Sequence, residues 1–379
     1  MKRGIAACIA ALGLCAPATA SAAPDSVFGG QTISGNAITC TTQSDGVRVC
    51  HGADNGGGAS DTRLKTFDGT GSALEVYLIL PPGSGTANHY PIVVQSHGWG
   101  GQAGGPNDTQ FYGPVGDALA KNGYAVLQLT ARGFGDSCGQ AARQSEPPAD
   151  FLPTGRCANG YIRLDDLRFE VRDIQYTTGL LTDAGIIDPN RIGLTGESYG
   201  GGVSLELSTL KDRVMNADGS LSPWTSPGGT PMHVAAAVPV IPWSDLVYSL
   251  IPNGRTLDYK ETGPTDDLAP IGVLKQSFVA GLFALGATSG NYSSTDPNAN
   301  LPEWYAVTNA GEPYDQNPTA QSIVDQIAHF HSSYYLLDGK YGAAKEPPPP
   351  LLIANGFSDD LFPVDEALRY YNYVQDHYP

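Results

Sequence analysis

Five short apolar runs, Pro91 to Gln95, Tyr124 to Thr130, Arg191 to Thr195, Val234 to Pro239 and Leu351 to Asn355, recur without the alternation that marks a half-exposed strand. Stretches of helical spacing separate them. One such stretch, Leu164 to Leu181, closes at Asp183-Ala184-Gly185 before Asp188-Pro189-Asn190 turns the chain. Strands of this kind must be covered on both faces, which predicts an α/β architecture with a mostly parallel sheet and helices on both sides. An antiparallel pair, Arg63 to Phe67 and Leu74 to Leu80 around a turn at Asp68-Gly69, is expected to precede it. The acidic residues of the long helix, Asp165, Asp166, Glu170 and Asp173, read most simply as a solvated or locally paired face.

The 379 residues have room for one large domain carrying an insertion. Met1-Lys2-Arg3, an apolar run to Leu14 and the small residues Ala20-Ser21-Ala22 read as a secretory signal over 1–23, so an extracellular protein with no membrane contact after cleavage is expected. Residues 24–62, rich in Gly, Thr and Ser, form an irregular, disulfide-containing leader. The core takes 63–243 and 346–379. Between them, 244–345 breaks the strand and helix rhythm and reads as a helical cap. Its aromatics Phe278, Phe283, Trp304, Tyr305, Tyr314, Phe330, Tyr334 and Tyr335 are assigned to the cap's own core ahead of a ligand pocket.

Setting Cys8 and Cys15 aside with the signal leaves four cysteines in an oxidising compartment. Three pairings are open, and short separations favour Cys40 with Cys50 and Cys138 with Cys157. No CxxC spacing points to a metal, and no cofactor is implied. Lys and Arg number 21 against 38 Asp and Glu, and without Lys2 and Arg3 the net charge is about −19, which argues against a nucleic-acid partner. Oligomeric state is written in no feature of the sequence.

With 47 glycines, a G-x-S-x-G match is expected by chance in roughly one such sequence in three. Two are present, Gly135-Asp136-Ser137-Cys138-Gly139 and Gly196-Glu197-Ser198-Tyr199-Gly200, and context separates them. A strained elbow needs a strand before it, a helix after it and small neighbours. Ser198 has all three, whereas Ser137 runs into a polar, proline-containing stretch. Ser198 is therefore the expected nucleophile. The backbone N–H groups of Tyr199 and of Trp99, in the loop His97-Gly98-Trp99-Gly100-Gly101, are the expected oxyanion donors, and His97 is read as a loop anchor.

Asp359, in the loop after the run Leu351 to Asn355, is the expected acid ahead of Asp360. The base should follow the acid, and His377 sits poorly for it on a helix over Val364 to Tyr378. The chain therefore reads as ending, at Pro379, before its final strand and catalytic histidine. His329 and His331, an H-x-H pair inside the cap, are assigned to surface or packing roles.

From about Arg63 to Pro379 the chain resembles the Xaa-Pro dipeptidyl-peptidase and cocaine-esterase-like family of α/β-hydrolase serine hydrolases. The resemblance rests on Phe67-Asp68-Gly69, on Ala131-Arg132-Gly133-Phe134-Gly135-Asp136-Ser137 and on Gly196-Glu197-Ser198-Tyr199-Gly200-Gly201. It implies cleavage of a peptide, amide or ester bond through an acyl-enzyme, and a carboxy-terminal β-sandwich beyond this chain. Many members donate to the oxyanion from a tyrosine side chain after the third strand, whereas this chain has His97-Gly98-Trp99-Gly100-Gly101 there. A dipeptidyl-peptidase leads over a broad esterase or acylase. It would need a cap carboxylate for the substrate amine, for which Asp258, Glu261, Asp266 and Asp267 stand as unranked candidates. A non-catalytic binding scaffold is the reading from a different class.

Overall fold

The computed structural model describes residues 25–83, 89–108, 112–251, 273–311, 314, 317–342 and 346–378. The signal over 1–23 and the four cap carboxylates named above lie outside these residues. The main sheet is built from β1 (Ser26–Val27), β2 (Ile38–Thr42), β3 (Arg48–Gly52), β4 (Val76–Leu80), β5 (Tyr90–Ser96), β6 (Ala125–Leu129), β7 (Ile187–Glu197) and β8 (Val234–Val240). The principal helices are α1 (Tyr112–Lys121), α2 (Glu170–Asp183), α3 (Tyr199–Leu210), α4 (Gln276–Ser289), α5 (Leu301–Asn309), α6 (Pro318–Phe330) and α7 (Asp365–His377).

The strand order is β1-β2-β3-β4-β6-β5-β7-β8, antiparallel from β1 through the β4–β6 pair and parallel from β6 onward. The segment expected to be an irregular leader instead supplies three strands. Cys40 and Cys50 are direct cross-strand partners, joined by a disulfide. A second disulfide joins Cys138 to Cys157. The expected antiparallel pair shrinks to Leu64–Lys65 against Ala73–Leu74, because the chain then leaves it to run as β4 in the main sheet. The run Leu351 to Asn355 lies parallel to β8, through isolated bridges from Leu351 to Ala237 and from Ala354 to Val240.

Residue alternation distributes the core over the two faces. Leu78, Leu80, Leu127 and Leu129 join Val171 and Ile174 of α2 and Val203 and Leu207 of α3, while Ile79 and Val126 meet Ala120 of α1. Cover thins toward β8, where Val238 is 40% exposed and Leu352 66% exposed. Among the described residues no helix is long and apolar enough to cross a membrane.

Helix α2 starts at Glu170, later than its periodicity predicts, because Leu164 and Asp165 both adopt positive φ and turn the chain first. The acidic residues expected on a solvated face are buried: Asp165 and Asp166 at 0% exposure, Asp173 at 1% and Glu170 at 3%. The turn at Leu164 and Asp165 places this segment against α3 and the cap. Asp173 is held by Arg132 and Asp166 by Arg168, while both oxygens of Asp165 lack a hydrogen-bond partner.

Candidate active site

Strand β7 ends at Glu197 and α3 begins at Tyr199, so Ser198 alone makes the turn between them. It does so at φ 58°, ψ −115°, a conformation costly for any residue with a side chain. Its N–H donates to the Val240 carbonyl of β8 at 3.0 Å, and its carbonyl accepts from the Gly202 N–H at 3.0 Å. Glycine is required on both sides, since a Cβ on Gly196 or Gly200 would collide with the backbone oxygens of Gly200 and Ser96.

Beside the elbow runs the loop that follows β5. Neither the Trp99 nor the Tyr199 N–H has a partner among the described residues. His97 anchors the loop. Its Nε2 accepts from the Ala131 N–H at 3.0 Å, so its Nδ1 carries the proton donated to the Gly98 carbonyl at 2.8 Å. Burial lowers its pKa and keeps that neutral tautomer. The Trp99 indole packs edge-on against Phe134 and Tyr199 and donates to the Leu282 carbonyl of α4 at 2.8 Å, tying loop to cap.

The serine of the second motif is enclosed. Ser137 is fully buried, its hydroxyl donating to the Thr130 carbonyl at 2.8 Å and accepting from the Glu75 N–H at 2.9 Å.

Ser198, Trp99 and Trp243, which follow the carboxyl ends of β7, β5 and β8, share one cavity of about 830 Å³ including its mouth. That end of a parallel sheet is where open α/β folds bind ligands. The cap supplies most of the remaining wall. Of its aromatics, Phe283 and Tyr305 line the cavity rather than the core expected of them, Trp304 is a buried core residue that also borders the cavity, and Tyr314, Tyr334 and Tyr335 are buried in cap packing. Trp243, Leu361 and Phe362 carry no sequence signal for the site and are placed there by the chain reversals after β8 and after Asn355.

Asp359 is half-buried in the loop that brings Leu361 and Phe362 to this cavity. One of its oxygens accepts from the Leu361 N–H at 3.0 Å and the Phe362 N–H at 2.9 Å, whereas Asp360 is exposed. Just after this loop, buried Glu366 ties α7 to the segment that follows β8: it accepts from the Ser244 and Asp245 amides at 2.8 Å each and from Arg369 at 2.8 Å. Among the described residues no histidine hydrogen-bonds to Ser198 or Asp359. His377 stacks on Tyr373 with its Nδ1 2.9 Å from that residue's carbonyl oxygen. His331 is buried, its Nδ1 donating to the Leu164 carbonyl at 2.6 Å, and His329 stacks between Phe330 and Tyr341.

Behind the elbow, the Tyr199 hydroxyl donates to Glu170 at 2.5 Å and accepts from the Asp165 N–H at 2.8 Å. Burial pushes the Glu170 carboxyl up to about 7. This brace is not legible in the sequence, because a glutamate on an amphipathic helix carries no mark of burial.

The sheet order, the strand–serine–helix elbow and a cap over the strand ends define a serine hydrolase of the α/β-hydrolase fold. Residues 68–378 match the X-Pro dipeptidyl-peptidase (S15) family, and the chain belongs to that family. Among solved structures it is similar to an acetyl xylan esterase from Paenibacillus sp. R4, at 14% identity over 89% of this chain and 78% of that one, with a TM-score of 0.45. It is also similar to a chain from a study of two prolyl endopeptidases, at 13% identity over 91% of this chain and 37% of that one, TM-score 0.45. A third is Thermogutta terrifontis esterase 2 phosphonylated by sarin, at 14% identity over 82% of this chain and 77% of that one, TM-score 0.41. No curated protein sequence matches the chain.

Proposed function

We propose that this is a secreted hydrolase in which Ser198 attacks a peptide, amide or ester carbonyl and forms an acyl-enzyme. The observation that carries the reading is the elbow: a positive-φ serine opening on the cavity beside the two unpartnered amides of Trp99 and Tyr199. In this reading those amides receive the oxyanion. Asp359 orients an imidazole that takes the Ser198 proton and returns it to the leaving group. The two disulfides accord with an oxidising compartment.

Family membership favours release of Xaa-Pro dipeptides. A second reading, hydrolysis of esters, is favoured by the apolar and aromatic side chains that make up the described lining of the cavity. Alanyl-prolyl p-nitroanilide and p-nitrophenyl butyrate separate the two. A dipeptidyl-peptidase prefers the anilide and loses most activity when its amine is acetylated; an esterase prefers the ester. Ser198→Ala should lower either activity by at least ~1,000-fold. Retained activity in that variant contradicts the nucleophile assignment.

A further inference from the structure

The cavity wall turns carbon toward its occupant. Its lining residues include no charged side chain among those described. Their polar atoms are largely committed elsewhere. The Trp99 indole donates to the Leu282 carbonyl and the Trp243 indole to the His331 carbonyl, each at 2.8 Å. The Tyr292 hydroxyl donates to the Phe283 carbonyl at 3.0 Å and the Thr308 hydroxyl to the Trp304 carbonyl at 2.8 Å. The Tyr199 hydroxyl is held by Glu170. One side is a slab of stacked rings, Phe283 lying 4.5 Å from Tyr305 and 5.0 Å from Tyr292.

A charged occupant would lose its hydration here and gain no partner from the described wall, whereas each buried methylene gains about 0.8 kcal/mol. We infer that the substrate carries, on one side of the scissile bond, an uncharged apolar group, a medium-length alkyl chain or an aryl ring, that fills the cap cavity beside Ser198. This deepens the ester reading and rests on the assignment of the cavity as the substrate site. It does not require turnover to be tested.

The Ser198→Ala protein is titrated with methyl acetate, methyl octanoate and octyl acetate, following the fluorescence of Trp99, Trp243 and Trp304, which line the cavity. At least one long ester should bind roughly 50-fold more tightly than methyl acetate, the equivalent of about three buried methylenes. The half-buried α4 residues Val279 and Leu282 offer two separate wall positions. Val279→Asp or Leu282→Asp should reduce that affinity at least tenfold in protein of unchanged circular dichroism. Equal affinity for the three esters, or alanyl-proline methyl ester binding as tightly as the long ones, overturns the inference. Because binding is read without catalysis, a failed nucleophile assignment would show in the activity assays and leave this result standing.

Discussion

Glu206 of α3 is completely buried and neither of its carboxyl oxygens has a hydrogen-bond partner. Burial first, then the neighbouring Asp165, Asp166 and Glu170, raise its pKa well above the ordinary value, so the folded protein keeps it protonated where the unfolded chain does not. The native state therefore holds the extra proton. The stability this confers is full below the ordinary glutamate pKa and is lost as pH rises toward the folded value. Glu206→Gln should match the parent near pH 4 and exceed it at higher pH, by up to about 1.4 kcal/mol per pH unit, in denaturant titrations at pH 4, 6 and 8. A variant less stable than the parent at pH 8 would mean that the carboxylate is charged and paired. Glu170 acts in the same sense, its contribution fading from about pH 4.5 to about 7.

Helix α4 shows how the cap and the loop after β5 depend on one another. Gly286 is buried, and a Cβ there would strike the Tyr292 hydroxyl and the Trp99 ring. Gly286→Ala must therefore push α4 and Trp99 apart, against the hydrogen bond from the indole to Leu282. Overpacking of this kind costs about 1–3 kcal/mol. If the Trp99 amide serves the oxyanion as proposed, its displacement should lower kcat/KM by roughly 10- to 100-fold while the circular dichroism is preserved. An unchanged kcat/KM in a folded variant would detach Trp99 from catalysis.

For the molecule as a whole, the parallel strands were legible because burial on both faces leaves unalternated apolar runs, as in β6, where all five residues are buried. The elbow was legible because strain demands small neighbours, and Gly196 and Gly200 sit where a Cβ cannot. What the sequence concealed were relations across long separations. Residues of the leader enter the sheet through β3 pairing with β4, although the many glycines of the leader disfavour strands locally. Asp165, Asp166, Glu170 and Asp173 look solvated on a helical wheel and are buried because Leu164 and Asp165 turn the segment inward. The cap aromatics divide between core and cavity by helix orientation, which composition does not encode.

In the proposed mechanism Ser198, and not the second motif serine Ser137, is the reacting group. Incubating the full-length enzyme with a fluorophosphonate and locating the adduct by tandem mass spectrometry decides between the two serines. A single adduct is expected on the peptide containing Ser198, absent after Ser198→Ala. An adduct on Ser137, or labelling undiminished in the Ser198→Ala protein, would contradict it.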